Sequence, residues 1–362
     1  MEDIIFDLYF ALILGVNTES FIELLEKHGS CKEIFNNLDS IKDGFSNSVI
    51  NKFCKKDLDF AIKEYENCIY KKIQIISYTD NNYPALLKEA DNPPLVIYCK
   101  GNLSLLKNPL ITIAGSKRCS SEGKDNARKF TKIFSNAGIT PVCGFSKGIE
   151  AEVCRANEKC VVISPCGLDI TYPANQFSIK EKVLENGGLF ISELPTGSKA
   201  LGVNIVNRNR LLAALSPYCL IVEAGENSGT EIIFDNCLAY NRPCFVIPGS
   251  IRSQYNKGSN NMLKKGGVVA TDPDDIINFY KIAYPFLCNV EFDSPALEDE
   301  YTFNSNLGEC ENAILKLLSV SPEKSETISE KLDFSASETA SALTMLEMLG
   351  TIEEVNGYFK IV

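Results

Sequence analysis

The spacing of apolar positions changes along the chain, and each change marks a different predicted structure. Over the first 70 residues apolar side chains recur at helical intervals, as at Phe21, Leu24 and Leu25, with no proline and few glycines. This period predicts a small helical domain over residues 1–70. From Lys72 the chain contains short β-rich runs such as IQIISY and PLVIYCKG.

A regular alternation of strand and helix patterns begins near Pro109. Apolar runs of strand length are each followed by a turn with glycine or serine and then a helix-like segment; the runs are LITIAG, ITPVCG, CVVISPCG, GLFISE, YCLIVEAG and PCFVIPG. Continuous apolar strands separated by helices are typical of a parallel sheet covered on both faces. The pattern predicts a doubly wound α/β domain of six or seven strands over residues 71–281.

The last part of the chain has a third pattern. Residues 282–305 are polar and acidic and predict a linker, whereas residues 306–362 predict three short helices and a hairpin, the winged-helix arrangement. The third helix, in SASETASALTMLEMLG, has two glutamates and no lysine or arginine. Helices that read the major groove rely on cations and amides, so a protein contact or an autoregulatory role is favoured here.

Composition excludes several classes of protein. No window has the ~20 uninterrupted apolar residues of a membrane span, and the start MEDIIFDLYF is acidic, so we expect a cytoplasmic protein without a membrane partner. The 14 cysteines are scattered, with no CxxC pair, and His28 is the single histidine. We therefore expect reduced, buried cysteines, no metal site and no cofactor.

Charge is segregated along the sequence. The net charge of the whole chain is -11, but it is -5 over residues 1–100, +7 over residues 101–270 and -13 over residues 271–362. A basic middle between acidic ends predicts that a polyanion would bind to the central domain only.

Polar turns follow the predicted strands, and ligands of open α/β sheets bind at this carboxyl edge. The candidate site residues are Gly115, Ser116, Lys117 and Arg118; Gly144, Lys147 and Gly148; Arg208, Asn209 and Arg210; and Ser228, Gly229 and Thr230. Backbone amides, hydroxyls and cations in such turns suit phosphate oxygens, which predicts an anion-binding cleft. Two arginines two residues apart cannot share one helix face, so we expect one to face the site and the other to pair with an internal carboxylate.

Taken in order, these segments resemble the DNA-processing protein A (DprA/Smf) family. The resemblance runs from NYPALLKEADNPPLVIYCKG through GSKRCSSEG, CGFSKGIE, CGLDITYP, RNRLLAALS, ENSGT and VIPGS to GSNNMLKKGG. It implies an extended Rossmann-like, doubly wound parallel sheet between the helical and winged-helix domains. It also implies single-stranded DNA binding at the candidate site residues, a homodimer, and help in loading the RecA recombinase during natural transformation or recombination.

The chain departs from the family pattern at several positions. Lys117 stands where the family has arginine, Cys154 replaces a histidine, and Ile205 replaces an aromatic residue, which removes a stacking platform for a base. An interaction scaffold with weakened DNA binding is therefore an alternative function.

The sequence contains no catalytic constellation, which predicts that the protein is not an enzyme and has no catalytic residues. The enzyme alternative is a Rossmann-like nucleotide hydrolase of the cytokinin-activating (LOG) type, which also has a glycine-threonine turn followed by glutamate, as at Thr230 and Glu231. Those enzymes need a Gly-Gly-x-Gly-Thr turn, whereas this turn reads Asn-Ser-Gly-Thr. Glu193 and Glu223 end strands, and we expect them to cap turns or pair with arginines.

Overall fold

In a computed structural model the chain divides into two compact units, Met1–Val290 and Glu291–Val362. The structure describes residues 2–38, 45–283, 307–318, 323–355 and 357–361. Among the helices of these residues, none combines the length and the apolar character that crossing a bilayer requires.

Over its described residues the first unit begins with five α-helices, as the apolar period predicted. They are α1 (Glu2–Leu14), α2 (Glu19–His28), α3 (Cys31–Asn36), α4 (Asn47–Phe53) and α5 (Asp59–Tyr70). Their core is aromatic: the ring centroids of Phe10 and Phe21 lie 4.5 Å apart, and those of Phe10 and Phe53 lie 5.1 Å apart. The Tyr9 hydroxyl donates to the Phe53 carbonyl at 2.8 Å, so the buried phenol is satisfied.

A large sheet follows these helices. Its strands within the described residues are β1 (Gln74–Ser77), β2 (Val96–Gly101), β3 (Leu110–Ala114), β4 (Thr140–Cys143), β5 (Val161–Ile163), β6 (Leu189–Ser192), β7 (Tyr218–Ile221), β8 (Cys244–Val246) and β9 (Val268–Val269). Their spatial order is β1-β2-β6-β5-β4-β3-β7-β8-β9. The seven strands from β6 to β9 are parallel, while β2 pairs antiparallel with β6 and with β1. The predicted doubly wound parallel sheet is confirmed, with β1 and β2 extending one edge.

Helices cover both faces of this sheet. They are α6 (Ser121–Asn136), α7 (Ile149–Ala156), α8 (Phe177–Glu185), α9 (Gly202–Leu215), α10 (Thr230–Ala239), α11 (Lys257–Lys264) and α12 (Asp274–Ala283). α6 packs against α7, and α9 packs against α10. Along the sheet, the chain adds strands in one direction from β3 to β6 and in the opposite direction from β6 to β9. Since crossovers between parallel strands are right-handed, these two helix pairs lie on opposite faces. The central strands are consequently buried on both sides.

The second unit is the predicted winged helix. It comprises α13 (Glu309–Leu318), α14 (Ser325–Leu332), α15 (Ala336–Met348) and the antiparallel hairpin β10 (Ile352–Val355) and β11 (Tyr358–Ile361). Ile314, Ile328 and Leu346 are fully buried in its core. From residue 284 onwards, the predicted linker lies outside the described residues.

Cysteines contribute to the core as small apolar residues. Thirteen of them lie within the described residues, all are free, and ten are buried. Their burial agrees with the expectation that cysteines in strand-like runs act as small apolar residues.

Candidate anion-binding site

A cleft with a volume of about 740 Å³ opens at the carboxyl ends of the parallel strands. β3 lies between β4 and β7, so the strand order reverses there, and such a switch point is where open α/β sheets bind ligands. The described lining residues come from the turns after β3, β4, β7 and β8 and from helices beside them: Gly115, Ser116, Lys117, Arg118, Ser146, Glu150, Ile205, Arg208, Asn209, Gly225, Glu226, Ser228, Gly229, Thr230, Ile233, Gln254, Tyr255 and Lys257.

Most of the predicted site residues meet in this cleft. Those that line it are Gly115, Ser116, Lys117, Arg118, Arg208, Asn209, Ser228, Gly229 and Thr230. Those outside its described lining are Gly144, Lys147, Gly148 and Arg210. The turn after β4 thus reaches the cleft through Ser146 instead of through the predicted Lys147, and α7 reaches it through Glu150.

Hydroxyl groups tie the turns after β3 and β7 together. Ser116 Oγ lies 3.0 Å from Ser228 Oγ and accepts a hydrogen bond from the Gly225 amide at 3.1 Å. The Ser228 hydroxyl also donates to Thr230 Oγ1 at 3.0 Å, at the first residue of α10. This network holds three hydroxyls at a helix N-terminus, where the free amides and the helix dipole favour an anion.

Glycines in the turn after β4 allow two close approaches. A Cβ atom at Gly144 would lie 1.7 Å from Arg208 Nη1, so a side chain at Gly144 would displace the guanidinium. Gly148 has φ +77°, and a Cβ there would lie 2.5 Å from the Ser116 carbonyl oxygen. Phe145 also has a positive φ of 61° and is held by burial of its ring against Phe190, with centroids 5.2 Å apart.

Arg208 is a buried cation at the base of the cleft. Its exposed fraction is 4%, and Nη1 donates to the Ile163 carbonyl at 2.9 Å. Burial lowers the pKa of the guanidinium, and the nearby Glu150 carboxylate acts in the opposite direction. The Arg208 Nε atom is buried without a hydrogen-bond partner among the described residues. Arg208 therefore places a largely buried positive charge at the base of the cleft.

Arg210 is the arginine that pairs with an internal carboxylate. Its Nη2 atom donates to Glu193 Oε2 at 2.6 Å and to the Asn92 carbonyl at 3.0 Å, and both side chains of the ion pair are largely buried. Burial raises the pKa of Glu193, and the guanidinium partly offsets that rise. Arg210 therefore links α9 to the end of β6 and stands outside the cleft.

The exposed cations at the cleft differ in their pairing. Lys117 and Arg118 are exposed, and neither forms a salt bridge with a described residue. Lys257 lies 3.7 Å from Glu226, a loose pair between exposed side chains. The turn after β3 thus carries the cations most available to an external anion.

Several lining residues were not among the predicted site residues. Glu150 accepts a hydrogen bond from the Ser146 amide at 2.7 Å and shapes the turn after β4. Gln254 and Tyr255 come from the loop after β8 and Lys257 from the start of α11, where the sequence PGSIRSQYNKG shows no regular period. The position of this loop after an apolar strand indicated that it lies at the carboxyl edge of the sheet. Because the loop is long, the sequence did not indicate which of its side chains line the cleft.

Glu223 and Glu231 are engaged in structural bonds. Glu223 accepts from the Ser120 amide and the Ser120 hydroxyl, both at 2.7 Å, at the N-terminus of α6. Glu231 lies 2.6 Å from Lys265 Nζ and does not belong to the described lining of the cleft. Both carboxylates therefore serve as caps or ion-pair partners, as expected for Glu223.

Two family models match the chain. The model for DNA recombination-mediator protein A matches residues 74–281, and the model for the DprA winged helix domain matches residues 304–357. The first match covers more than half of the chain and includes every residue of the predicted site.

Related proteins align over the same central region. DNA processing protein DprA of Streptococcus pneumoniae (strain ATCC BAA-255 / R6) is 29% identical over 212 residues, which are 58% of this chain and 74% of that protein. Protein Smf of Escherichia coli (strain K12) is 28% identical over 199 residues, 54% of this chain and 53% of that protein. The alignment thus spans about half of the E. coli relative.

Solved structures share the fold. The X-ray structure of DNA processing protein A from Streptococcus pneumoniae superposes with a TM-score of 0.67 at 25% identity, covering 76% of this chain and 97% of that chain. DNA processing protein A from Helicobacter pylori, whose structure describes a single-stranded DNA binding mode, gives a TM-score of 0.54 at 26% identity over 59% of this chain and 97% of that chain.

Proposed function

Because the chain belongs to the DNA recombination-mediator protein A (DprA/Smf) family, we propose that it binds single-stranded DNA in the cleft at the carboxyl edge of its sheet. The observation that carries the proposal is the convergence of unpaired cations and hydroxyls. Lys117 and Arg118 have no salt-bridge partner among the described residues, and they stand beside the hydroxyls of Ser116 and Ser228. Phosphate groups fit this set of donors.

The cleft recognises the backbone of the strand more than its bases. Amides at the start of α10, hydroxyls and guanidinium groups are phosphate ligands, and they carry no base information. Arg208 adds a largely buried positive charge at the base of the cleft. The strand is therefore bound with little sequence preference.

The protein acts as a binding protein, not as an enzyme. The engagement of Glu223 by Ser120 and of Glu231 by Lys265 supports this part of the proposal. The same family membership supports a cytoplasmic homodimer that assists RecA loading. Sedimentation tests the dimer, and the rate of RecA assembly on single-stranded DNA, with and without this protein, tests the assistance.

We expect the affinity for single-stranded DNA to fall steeply with salt. Each neutralised phosphate of a single strand contributes about -0.7 to the slope of log K against log salt. Fluorescence anisotropy with a labelled oligonucleotide, competed with duplex DNA and with AMP, measures this slope and the strand preference. Equal affinity at low and high salt, or adenine released from AMP, would contradict the proposal.

We expect Tyr255 to stack on a DNA base. Among the described residues that line the cleft, Tyr255 supplies the one aromatic ring, and it is partly exposed. It offers a platform that Ile205 does not. Since stacking contributes about 1 to 3 kcal/mol per base, Tyr255→Ala should weaken binding roughly 5- to 150-fold with little change in salt slope.

Two variants control the stacking experiment. Tyr255→Phe keeps the ring and should bind like the parent, whereas Tyr70→Ala removes a tyrosine that is 86% exposed on α5, outside the cleft. If Tyr255→Ala and Tyr70→Ala bind equally well, Tyr255 has no stacking role.

A further inference from the structure

Two clusters of three cysteines lie inside the sheet domain, one on each face. The first contains Cys143, Cys154 and Cys160, and the second contains Cys219, Cys237 and Cys244. In each cluster one cysteine comes from a strand, one from the following helix, and one from the start of the next strand, where Cys244 is the first residue of β8 and Cys160 directly precedes β5. The strand–helix–strand units are β4–α7–β5 and β7–α10–β8, so the two clusters occupy equivalent positions in the two halves of the sheet.

The sulfur atoms are close enough to share one ligand atom. In the first cluster Cys143 Sγ lies 3.4 Å from Cys154 Sγ, which lies 3.9 Å from Cys160 Sγ. In both clusters all three sulfur atoms lie within 4.8 Å of one another. Three bonds of about 2.3 Å, the length of a metal–thiolate bond, separate sulfur atoms by roughly 3.4 to 4.0 Å for angles of about 95° to 120°.

Burial restricts the charge that a bound group can carry. All six cysteines are at most 2% exposed. Two guanidinium groups act on these thiols, Arg208 on Cys143 and Arg242 on Cys237. Each already has a partner: Arg208 Nη1 donates to the Ile163 carbonyl at 2.9 Å, and Arg242 Nη2 pairs with Glu89 at 2.6 Å. A divalent ion with three thiolates leaves one negative charge in this core, and a monovalent ion leaves two. A trivalent centre leaves none, which avoids the cost of a buried charge.

We propose that each three-cysteine cluster binds one trivalent arsenic centre from arsenite. The reaction replaces three As–O bonds of As(OH)₃ by three As–S bonds. Each hydroxide leaves with one thiol proton as water, so three water molecules form and arsenic stays trivalent. Both reactants and the product are neutral, and the site needs no counter-ion.

The sequence analysis did not predict these two clusters, because the cysteines of each cluster are not adjacent in sequence. The absence of a CxxC pair excluded metal sites of local spacing, whereas these ligands are brought together by the crossovers of the sheet. Cys143 directly precedes the turn of Gly144, and Cys237 lies on α10, whose first residue lines the cleft. Each cluster therefore includes a cysteine on an element that shapes the anion-binding site.

The test counts bound arsenic in the folded full-length chain. The protein is reduced with a phosphine, because thiol reductants compete for arsenic, then incubated with arsenite under nitrogen and desalted. Elemental analysis should give two arsenic atoms per chain, and X-ray absorption should give three sulfur neighbours for each. Binding should be independent of pH near neutrality, whereas divalent and monovalent metals bind thiolates with release of protons.

Single substitutions assign the sites. Cys154→Ala and Cys237→Ala should each reduce bound arsenic from two atoms to one, and the double variant should bind none. Cys99→Ala, which changes a buried cysteine outside both clusters, should still bind two. Near-ultraviolet circular dichroism verifies that each variant is folded.

Three results would overturn the proposal. They are fewer than two arsenic atoms on the folded parent, two sulfur neighbours instead of three, or the same loss in Cys99→Ala as in Cys154→Ala. Preferential uptake of Zn²⁺ or Cu⁺ in a parallel titration would also overturn it, because the charge argument selects a trivalent centre.

Discussion

The double change Lys117→Ala with Arg118→Ala should weaken single-stranded DNA binding about 30-fold while leaving the protein as stable as the parent. Both side chains are exposed at the cleft without a salt-bridge partner among the described residues, so each is free to contact a phosphate. Two lost contacts of about 1 kcal/mol each give this factor. Exposed side chains on a turn contribute little to folding, within about 0.5 kcal/mol each.

Salt dependence separates this effect from a general loss of charge. The variant should lose about 1.4 from the salt slope, roughly 0.7 for each phosphate contact of a single strand. The control is Lys107→Ala with Lys132→Ala, which removes the same charge from exposed residues near the amino ends of the strands. If the two double variants bind alike, the turn after β3 does not contact the DNA, and Lys257 and Lys264 become the next candidates.

Removing Arg210 should destabilise the protein by about 3 to 5 kcal/mol, because Glu193 would remain as a buried charge without a partner. Urea denaturation of Arg210→Met measures the loss in the free energy of unfolding. Adding Glu193→Leu should restore much of it, since both buried charges are then absent. Arg242→Met is the matched control: its pair with Glu89 has the same 2.6 Å distance, but Glu89 is 57% exposed, so its loss should cost under about 1 kcal/mol.

The loss in the free energy of unfolding caused by Arg210→Met, called the deficit below, should depend on pH. Burial raises the pKa of Glu193, and without Arg210 no guanidinium offsets that rise. A carboxyl whose pKa is higher in the folded state than in the unfolded state binds protons better when folded, so lowering the pH stabilises the fold. The deficit should therefore shrink as the pH falls from neutral into the acidic range. A deficit that grows on acidification would contradict a buried, unpaired Glu193.

The sheet was predictable because burial on both faces leaves a direct trace in the sequence. Runs such as LITIAG and YCLIVEAG became β3 and β7, the two strands on which the cleft is centred. The antiparallel attachment of β2 to β6 was not predictable, because the hydrophobic pattern of a short strand does not specify its neighbour.

The candidate site was predictable where side chains lie in the turn that follows a strand, and less so elsewhere. Ser116 and Ser228 follow β3 and β7, and their hydroxyls meet. Lys147 was expected to join Lys117, but the positive φ values of Phe145 and Gly148 turn the chain so that Ser146 lines the cleft. Tyr255 is brought to the cleft by the irregular loop after β8, and residue periodicity carries no information on such a path.

The reversal of strand order at β3 also determines when, during synthesis of the protein, the cleft can form. Ser116 and its partner Ser228, which lie on opposite sides of the cleft, are separated by 112 residues. At a translation rate of roughly 5 to 20 residues per second, Ser228 leaves the ribosome about 6 to 22 s after Ser116. Throughout that interval the nascent chain contains Lys117 and Arg118 but lacks the turn of Ser228 on the other side of the cleft. The proposed binding of a DNA strand in the cleft therefore requires that translation has passed β7 and the loop after β8.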